Sequence, residues 1–242
     1  MRRQDWAFFL AVWAVISALG GLLVGHPFRA FVWAGIALLA GWMAQRWARL
    51  HPGPMPAILR WLLYLPRGAH SPANLLLLLL PKKGERIIEV GPGIGIHALR
   101  LAEAVGPEGV VEAIDVQQTM LDSLERRADL AGIRNIVTIC GDATKLPHPA
   151  ASFDAACLMT VLGEIPDSEA ALRELHRVLR PGGRLVIGEF LIDPDYISFE
   201  RLQPMVSGAG FRFERRAGPW FEYLALFRAE GGAVASEAER RG

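Results

Sequence analysis

A short apolar run, Arg86–Val90, gives way to glycine at positions 91, 93 and 95 and resumes with helical spacing at Ile96, Leu99, Leu101, Ala102 and Val105. Strand, glycine turn and helix in that order confine the chain to few folds. Glycines let a backbone approach a ligand closely, but a glycine triplet alone is weak evidence for one. A second apolar run, "GVVEAIDV", strengthens it, because it ends in Asp115, twenty residues after Gly95. An acid at the tip of a second strand is placed to hold two ribose hydroxyls. Glu89, just before the turn, argues against a pyrophosphate and for a ligand with a cationic amino-acid part.

Further segments extend this pattern to about Ala229. Cys140-Gly141-Asp142-Ala143 follows a third strand, and "SFDAACLMTVL" reads as a fourth, opened by Asp154. "ALRELHRVLRPGGRLVIGEF" reads as a helix, a turn at Pro181–Gly183 and a fifth strand. "GFRFERRAGPWFEYLALFRA" reads as two alternating strands around a Gly-Pro link.

"EVGPGIG", Glu89 to Gly95, resembles the first motif of class I S-adenosylmethionine-dependent methyltransferases, an acid, any residue, then Gly-x-Gly-x-Gly. The later segments follow that family's order, in wording closest to its quinone- and phospholipid-modifying members. The resemblance implies an α/β fold: a Rossmann-like seven-stranded sheet with helices on both faces. It implies S-adenosylmethionine as cofactor, held by Glu89, Gly91, Gly93, Gly95, Asp115, Val116, Asp142 and Ala143. Asp142 falls near the adenine amino group, and Val116 or Gln117 beside the ring.

No acceptor-side residue is fixed by a motif. By position the catalytic candidates are Glu164, His97 and Tyr196, though Glu164 also reads as a surface carboxylate and His97 as a structural histidine. Tyr64, Arg67 and His70 lie where the family places a lid over the acceptor. The two cysteines, Cys140 and Cys157, lack metal-ligand spacing and read as reduced, buried small hydrophobes. No metal is expected.

The first segment has another character. Residues 1–70 carry seven arginines against one acid, a net of +6, while the remainder carries 19 basic and 24 acidic residues, a net of −5. Six of the seven tryptophans fall before residue 62. Trp6 to Gly25 is uncharged over 20 residues, and as a helix would span ~30 Å, the thickness of a bilayer's hydrocarbon core. Ala30 to Ala44 is a shorter apolar run, with Arg29 and Arg46 able to snorkel at its ends. The pair reads as a transmembrane or interfacial helical hairpin. Arg2, Arg3, Arg46 and Arg49 outside it, against Arg29 in its turn, place both termini in the cytoplasm. A cleaved signal peptide is a rival reading of the first run, and packing on a partner copy is another.

Residues 1–50 are thus expected to anchor, 51–80 to link and cover, 81–230 to form the catalytic domain and 231–242 to be a flexible tail. Leu75 to Leu80 is too short to cross a bilayer, and Pro81 stops it. With Ser71 or Asn74 as cap, it reads as a buried helix packed on the sheet edge.

These features point to a cell-membrane enzyme with a cytoplasmic catalytic domain. Its expected partners are the lipid bilayer, a lipid-soluble acceptor (a phospholipid amine such as phosphatidylethanolamine, or a prenylated quinone precursor) and a second copy met through the hairpin. The alternatives are a soluble or protein acceptor, and a non-catalytic S-adenosylmethionine-binding module. Nucleic acid is disfavoured, because the catalytic part is acidic and shows no basic patch interleaved with aromatics.

Overall fold

Apolar strands bounded by glycine turns alternate with amphipathic helices along this chain, and such units bury both faces of a largely parallel sheet. The structure, a computed structural model, describes residues 68–231 and, before them, Val32, Trp33, Gly35, Ile36, Leu39 and Trp42. Its strands are β1 (Arg86–Val90), β2 (Val110–Asp115), β3 (Ile136–Cys140), β4 (Phe153–Met159), β5 (Leu179–Phe190), β6 (Phe211–Ala217) and β7 (Glu222–Ala229). Its helices are α1 (Pro72–Leu79), α2 (Ile96–Val105), α3 (Gln118–Ala131), α4 (Ser168–Val178) and α5 (Phe199–Gly208).

The seven strands form one sheet in the order β3-β2-β1-β4-β5-β7-β6. β1 to β5 are parallel, and β7 returns antiparallel between β5 and β6. The expected seven-stranded α/β sheet is therefore present. Alternate residues supply two cores. Ile88, Val90, Leu158, Ile187, Tyr223 and Phe227 pack with α4 and α5, while Ile87, Val111, Ala155, Val186 and Leu226 pack with α1 and α2.

Three local readings need correction. α1 begins as expected, with Ser71 Oγ accepting the Asn74 N–H at 3.3 Å. It buries Leu75, Leu78 and Leu79 against the sheet face beside α2, not against the sheet edge. Pro181–Gly183 is not a turn ahead of β5. Leu179 already pairs with Phe153, so these residues leave the ladder and rejoin it at Arg184, opposite Ala155. β7 does not alternate, because both its faces are covered.

The cysteines differ from each other. Cys157 is buried in β4 as expected, but Cys140 is exposed, since it ends β3 at the open edge of the sheet.

The Trp6–Gly25 run, Tyr64, Arg67 and residues 232–242 lie outside the described residues. Among the described residues no helix is long and apolar enough to cross a membrane. The six residues between Val32 and Trp42 are helical, and Val32, Ile36, Leu39 and Trp42, spaced by three or four, are exposed.

Candidate active site

Strand order reverses at β1, whose neighbours are β2 on one side and β4 on the other. In open α/β sheets ligands bind at such a point, beyond the carboxyl ends of the strands. A concavity opens there, lined by Gly91, Pro92, Gly93, Ile94, His97, Met159 and Thr160.

The glycine turn is shaped by backbone demands. Gly91 and Gly93 have φ of 66° and 54°, a left-handed region that other residues enter at a cost. A Cβ on Gly91 would strike the Val161 side chain, and one on Gly95 would strike Leu124. The turn is pinned to the sheet by the Gly91 N–H, which donates to Ile114 O at 2.8 Å.

Asp115 ends β2 beside the glycine turn. Its carboxylate accepts the N–H of Gln117 at 2.9 Å and those of Gly93 and Val116. Burial pushes its pKa up, and the backbone bonds oppose that. Asp115 O accepts the Gly141 N–H at 3.1 Å, which joins the tips of β2 and β3. Asp142, exposed in the following loop, accepts the Thr144 N–H at 2.8 Å. Ala143 is buried and Val116 is exposed. The eight expected cofactor residues thus lie on the turn, the tips of β1 and β2, and the loop after β3.

Glu89 is almost wholly buried at the end of β1, with Oε1 3.8 Å from His97 Nδ1. His97 Nε2 meets His70 O at 2.9 Å. Its partner is a carbonyl, so that nitrogen carries the proton. His97 therefore lines the concavity with Nε2 already engaged. His70, expected on a lid, is buried: its Nε2 donates to Tyr223 O at 3.1 Å and its N–H to Glu222 Oε1 at 3.2 Å. These bonds make it a tie between the mouth of the concavity and β7. Tyr196 donates its hydroxyl to Trp220 O at 2.7 Å. Glu164 is half-buried in the 3-10 turn Leu162–Glu164 just after β4.

Three features of this end were not picked out from the sequence. Met159 and Thr160 line the concavity, and Thr160 has φ of 54°, a strained conformation of the kind that collects at functional sites. Glu189, at the end of β5, is buried; its Oε2 accepts the Ile197 N–H at 3.0 Å, and its Oε1 has no hydrogen-bond partner among the described residues. Burial, with Asp193 and Asp195 nearby, holds Glu189 well above the usual carboxylate pKa. Asp193 itself is pushed up to about 6, first by burial. An acid closing the buried strand "VIGEF" was the available signal.

The residues present fit S-adenosylmethionine. The glycine cradle admits a backbone-hugging ligand, Asp115 can hold a ribose, and the buried Glu89 disfavours a phosphate. Residues 87–183 match the methyltransferase-domain family. The chain is 39% identical over 121 residues to the demethylmenaquinone methyltransferase of Geobacillus kaustophilus, covering 50% of this chain and 51% of that protein. It is 36% identical over 104 residues to the enzyme of the same name from Listeria welshimeri, covering 43% and 44%. The chain thus spans about half the length of these curated relatives. A SAM-dependent methyltransferase from Aquifex aeolicus superposes with a TM-score of 0.66 at 22% identity, over 72% of this chain and 98% of that one. The [4+2]-cyclase SpnF superposes with a TM-score of 0.60, also at 22% identity, over 66% and 80%. Residues 87–183 thus match a methyltransferase domain, and the sheet that carries them has the fold of the superposed S-adenosylmethionine-dependent methyltransferase.

Proposed function

We propose that this chain transfers a methyl group from S-adenosylmethionine to a lipid-soluble acceptor, a prenylated quinone precursor, at a membrane surface. The carrying observation is the positive-φ glycine turn that lines a concavity at the switch point, with Asp115 accepting the Gly93 N–H and Glu89 3.8 Å from His97 behind that lining. The cofactor supplies an activated methyl on a sulfonium; the chain's own task is placement. Holding donor and acceptor aligned can contribute ~7–11 kcal/mol. In this reading Asp115 and Asp142 hold the nucleoside end, and Glu89 faces the amino-acid end. Met159 and Thr160 wall the side from which an acceptor enters.

Transfer breaks the carbon–sulfur bond, forms a bond from the methyl carbon to the acceptor, and releases a proton from the acceptor. In the same reading Glu164, on the turn after β4, takes that proton or passes it to water. His97 Nε2 already donates to His70 O, which leaves that histidine a positioning role. The acceptor class is supported by the relatives, whose name specifies a quinone precursor and whose likeness covers half of this chain. The apolar, arginine-flanked first segment supports residence at a membrane, with the catalytic domain on the cytoplasmic side.

The test is transfer of labelled methyl from S-adenosylmethionine into a total membrane-lipid extract, followed by separation of the products. Label in a quinone fraction is the expected result. Label in a phospholipid headgroup would replace the acceptor. No label in any lipid, with cofactor binding intact, would overturn the reading in favour of a soluble or protein acceptor.

A further inference from the structure

Four large apolar side chains stand in solvent at the end of the sheet that carries the candidate site. Ile192 is 76% exposed, Trp220 65%, Phe221 41% and Leu191 37%. They come from two loops, the one after β5 and the one between β6 and β7, and those loops are fastened together. The Leu191 N–H donates to Phe221 O at 2.8 Å, and the Tyr196 hydroxyl donates to Trp220 O at 2.7 Å. Trp220 and Phe221 meet edge to face at 5.6 Å. The patch is therefore a built surface. Gly218 to Phe221 carries no charge.

The patch sits beside the mouth of the site. Phe190, next to Leu191, lies 6.0 Å from the His70 ring, and His70 O takes the proton-bearing Nε2 of His97. The preceding chain enters at the same place. A Cβ on Gly68 would strike the Glu222 carboxylate, and one on Gly218 would lie 3.0 Å from Ala69 Cβ. Sixty-seven residues precede Gly68; they hold six of the seven tryptophans, the uncharged run Trp6–Gly25 and a net charge of +6. That segment therefore joins the described residues beside the loop that carries Trp220.

We infer that Leu191, Ile192, Trp220 and Phe221 insert into the headgroup boundary of a lipid bilayer, and that this seats the mouth of the site on the membrane. Tryptophan and bulky aliphatic side chains suit that boundary, where an apolar body is buried and a polar edge stays wet. The purpose, admission of a lipid-soluble acceptor, rests on the proposed function. The contact itself is tested without turnover.

The full chain and its Trp220→Phe variant are reconstituted in phosphatidylcholine–phosphatidylglycerol vesicles whose acyl chains carry bromine, and the difference in their emission isolates Trp220. Unchanged S-adenosylmethionine affinity certifies the fold of the variant, because the Trp220 side chain is exposed outside the concavity. Bromine close to the headgroups is expected to remove most of the Trp220 difference signal, and bromine at the chain ends little of it. A difference signal open to acrylamide and indifferent to bromine would overturn the inference by placing Trp220 in water. One shielded from both would overturn it too, in favour of a protein cover, either the preceding residues or a second copy. Quenching without methyl transfer to any lipid would sink the proposed function and leave the contact standing. Transfer without quenching would do the reverse.

Discussion

The two ends of the parallel sheet are built on opposite principles. At the end where β1, β4 and β5 begin, charges are matched. Arg184, 7% exposed, meets Glu85 Oε2 at 2.5 Å and donates to Leu80 O at 3.0 Å. Arg86 donates its N–H to Asp154 at 2.9 Å, and Arg180 bonds the same carboxylate. At the other end Gly91 and Gly93 take positive φ, Thr160 is held there against its side chain, and burial raises the pKa of Asp115, Glu189 and Asp193. Charges are paired where the fold is held, whereas acids are buried beside an open glycine turn where a ligand is to be met, the kind of place at which sequences break local rules.

That contrast is tested hardest at the matched end. Glu85→Ala leaves the Arg184 guanidinium buried without its carboxylate and is expected to cost about 3–5 kcal/mol. The Glu85→Met, Arg184→Met pair removes both charges and should recover most of that loss. Urea denaturation reads both variants. S-adenosylmethionine affinity should stay at the wild-type level in whatever fraction remains folded. An affinity that fell in step with stability would mean that the two ends are not separable.

At the end that carries the candidate site the largest effect is expected at Gly91. Valine there must adopt φ near 66° and meet the Val161 side chain. The left-handed strain alone is worth ~1–3 kcal/mol of folding stability, which should show in the urea midpoint, and the displaced turn should cost roughly 100-fold in cofactor affinity by calorimetry. A large drop in stability with normal affinity would reverse the assignment of the turn.

Much of this division was legible in the sequence. The Glu89–Gly95 turn and Asp115 stood out because ligand contact needs residue types that a strand or helix would not choose. The sheet was legible because apolar runs and turn residues alternate. What was hidden depends on contacts remote in sequence. His70 belongs to the domain because β7, 153 residues on, offers Tyr223 O. Pro181–Gly183 is a bulge because Leu179 already pairs with Phe153. Cys140 is exposed because β3 lies at the sheet edge, and strand order cannot be read from one strand.

A third, smaller effect concerns Asp193. Its folded-state pKa of about 6 lies above the ordinary 3.8. A raised carboxyl binds its proton more tightly folded than unfolded, so its contribution is present below pH ~4 and is lost as pH rises to ~6. A full shift of this size amounts to at most ~3 kcal/mol. Asp193→Asn, whose amide oxygen can still accept the Asp195 N–H, should flatten thermal stability across that window and raise it near neutrality. An unchanged pH profile would shift the burden to Glu189, whose pKa burial also raises.

The smallest expected effect probes both ends with one reagent. Cys157 is buried in β4, and burial, with Glu89 adding to it, pushes its thiol up. Only thiolate reacts readily, so a disulfide reagent should modify a single thiol of the native protein, that of Cys140, and reach Cys157 only on unfolding. Cys140 Sγ lies 3.8 Å from Val116 O, beside the loop that carries Asp142. If Val116 and Asp142 flank the adenine, S-adenosylmethionine should slow the modification of Cys140 a few-fold, whereas Glu85→Ala should speed that of Cys157 alone. Protection of Cys140 by methionine and not by adenosine would move the nucleoside to the opposite wall of the concavity, and with it the role given to Asp115.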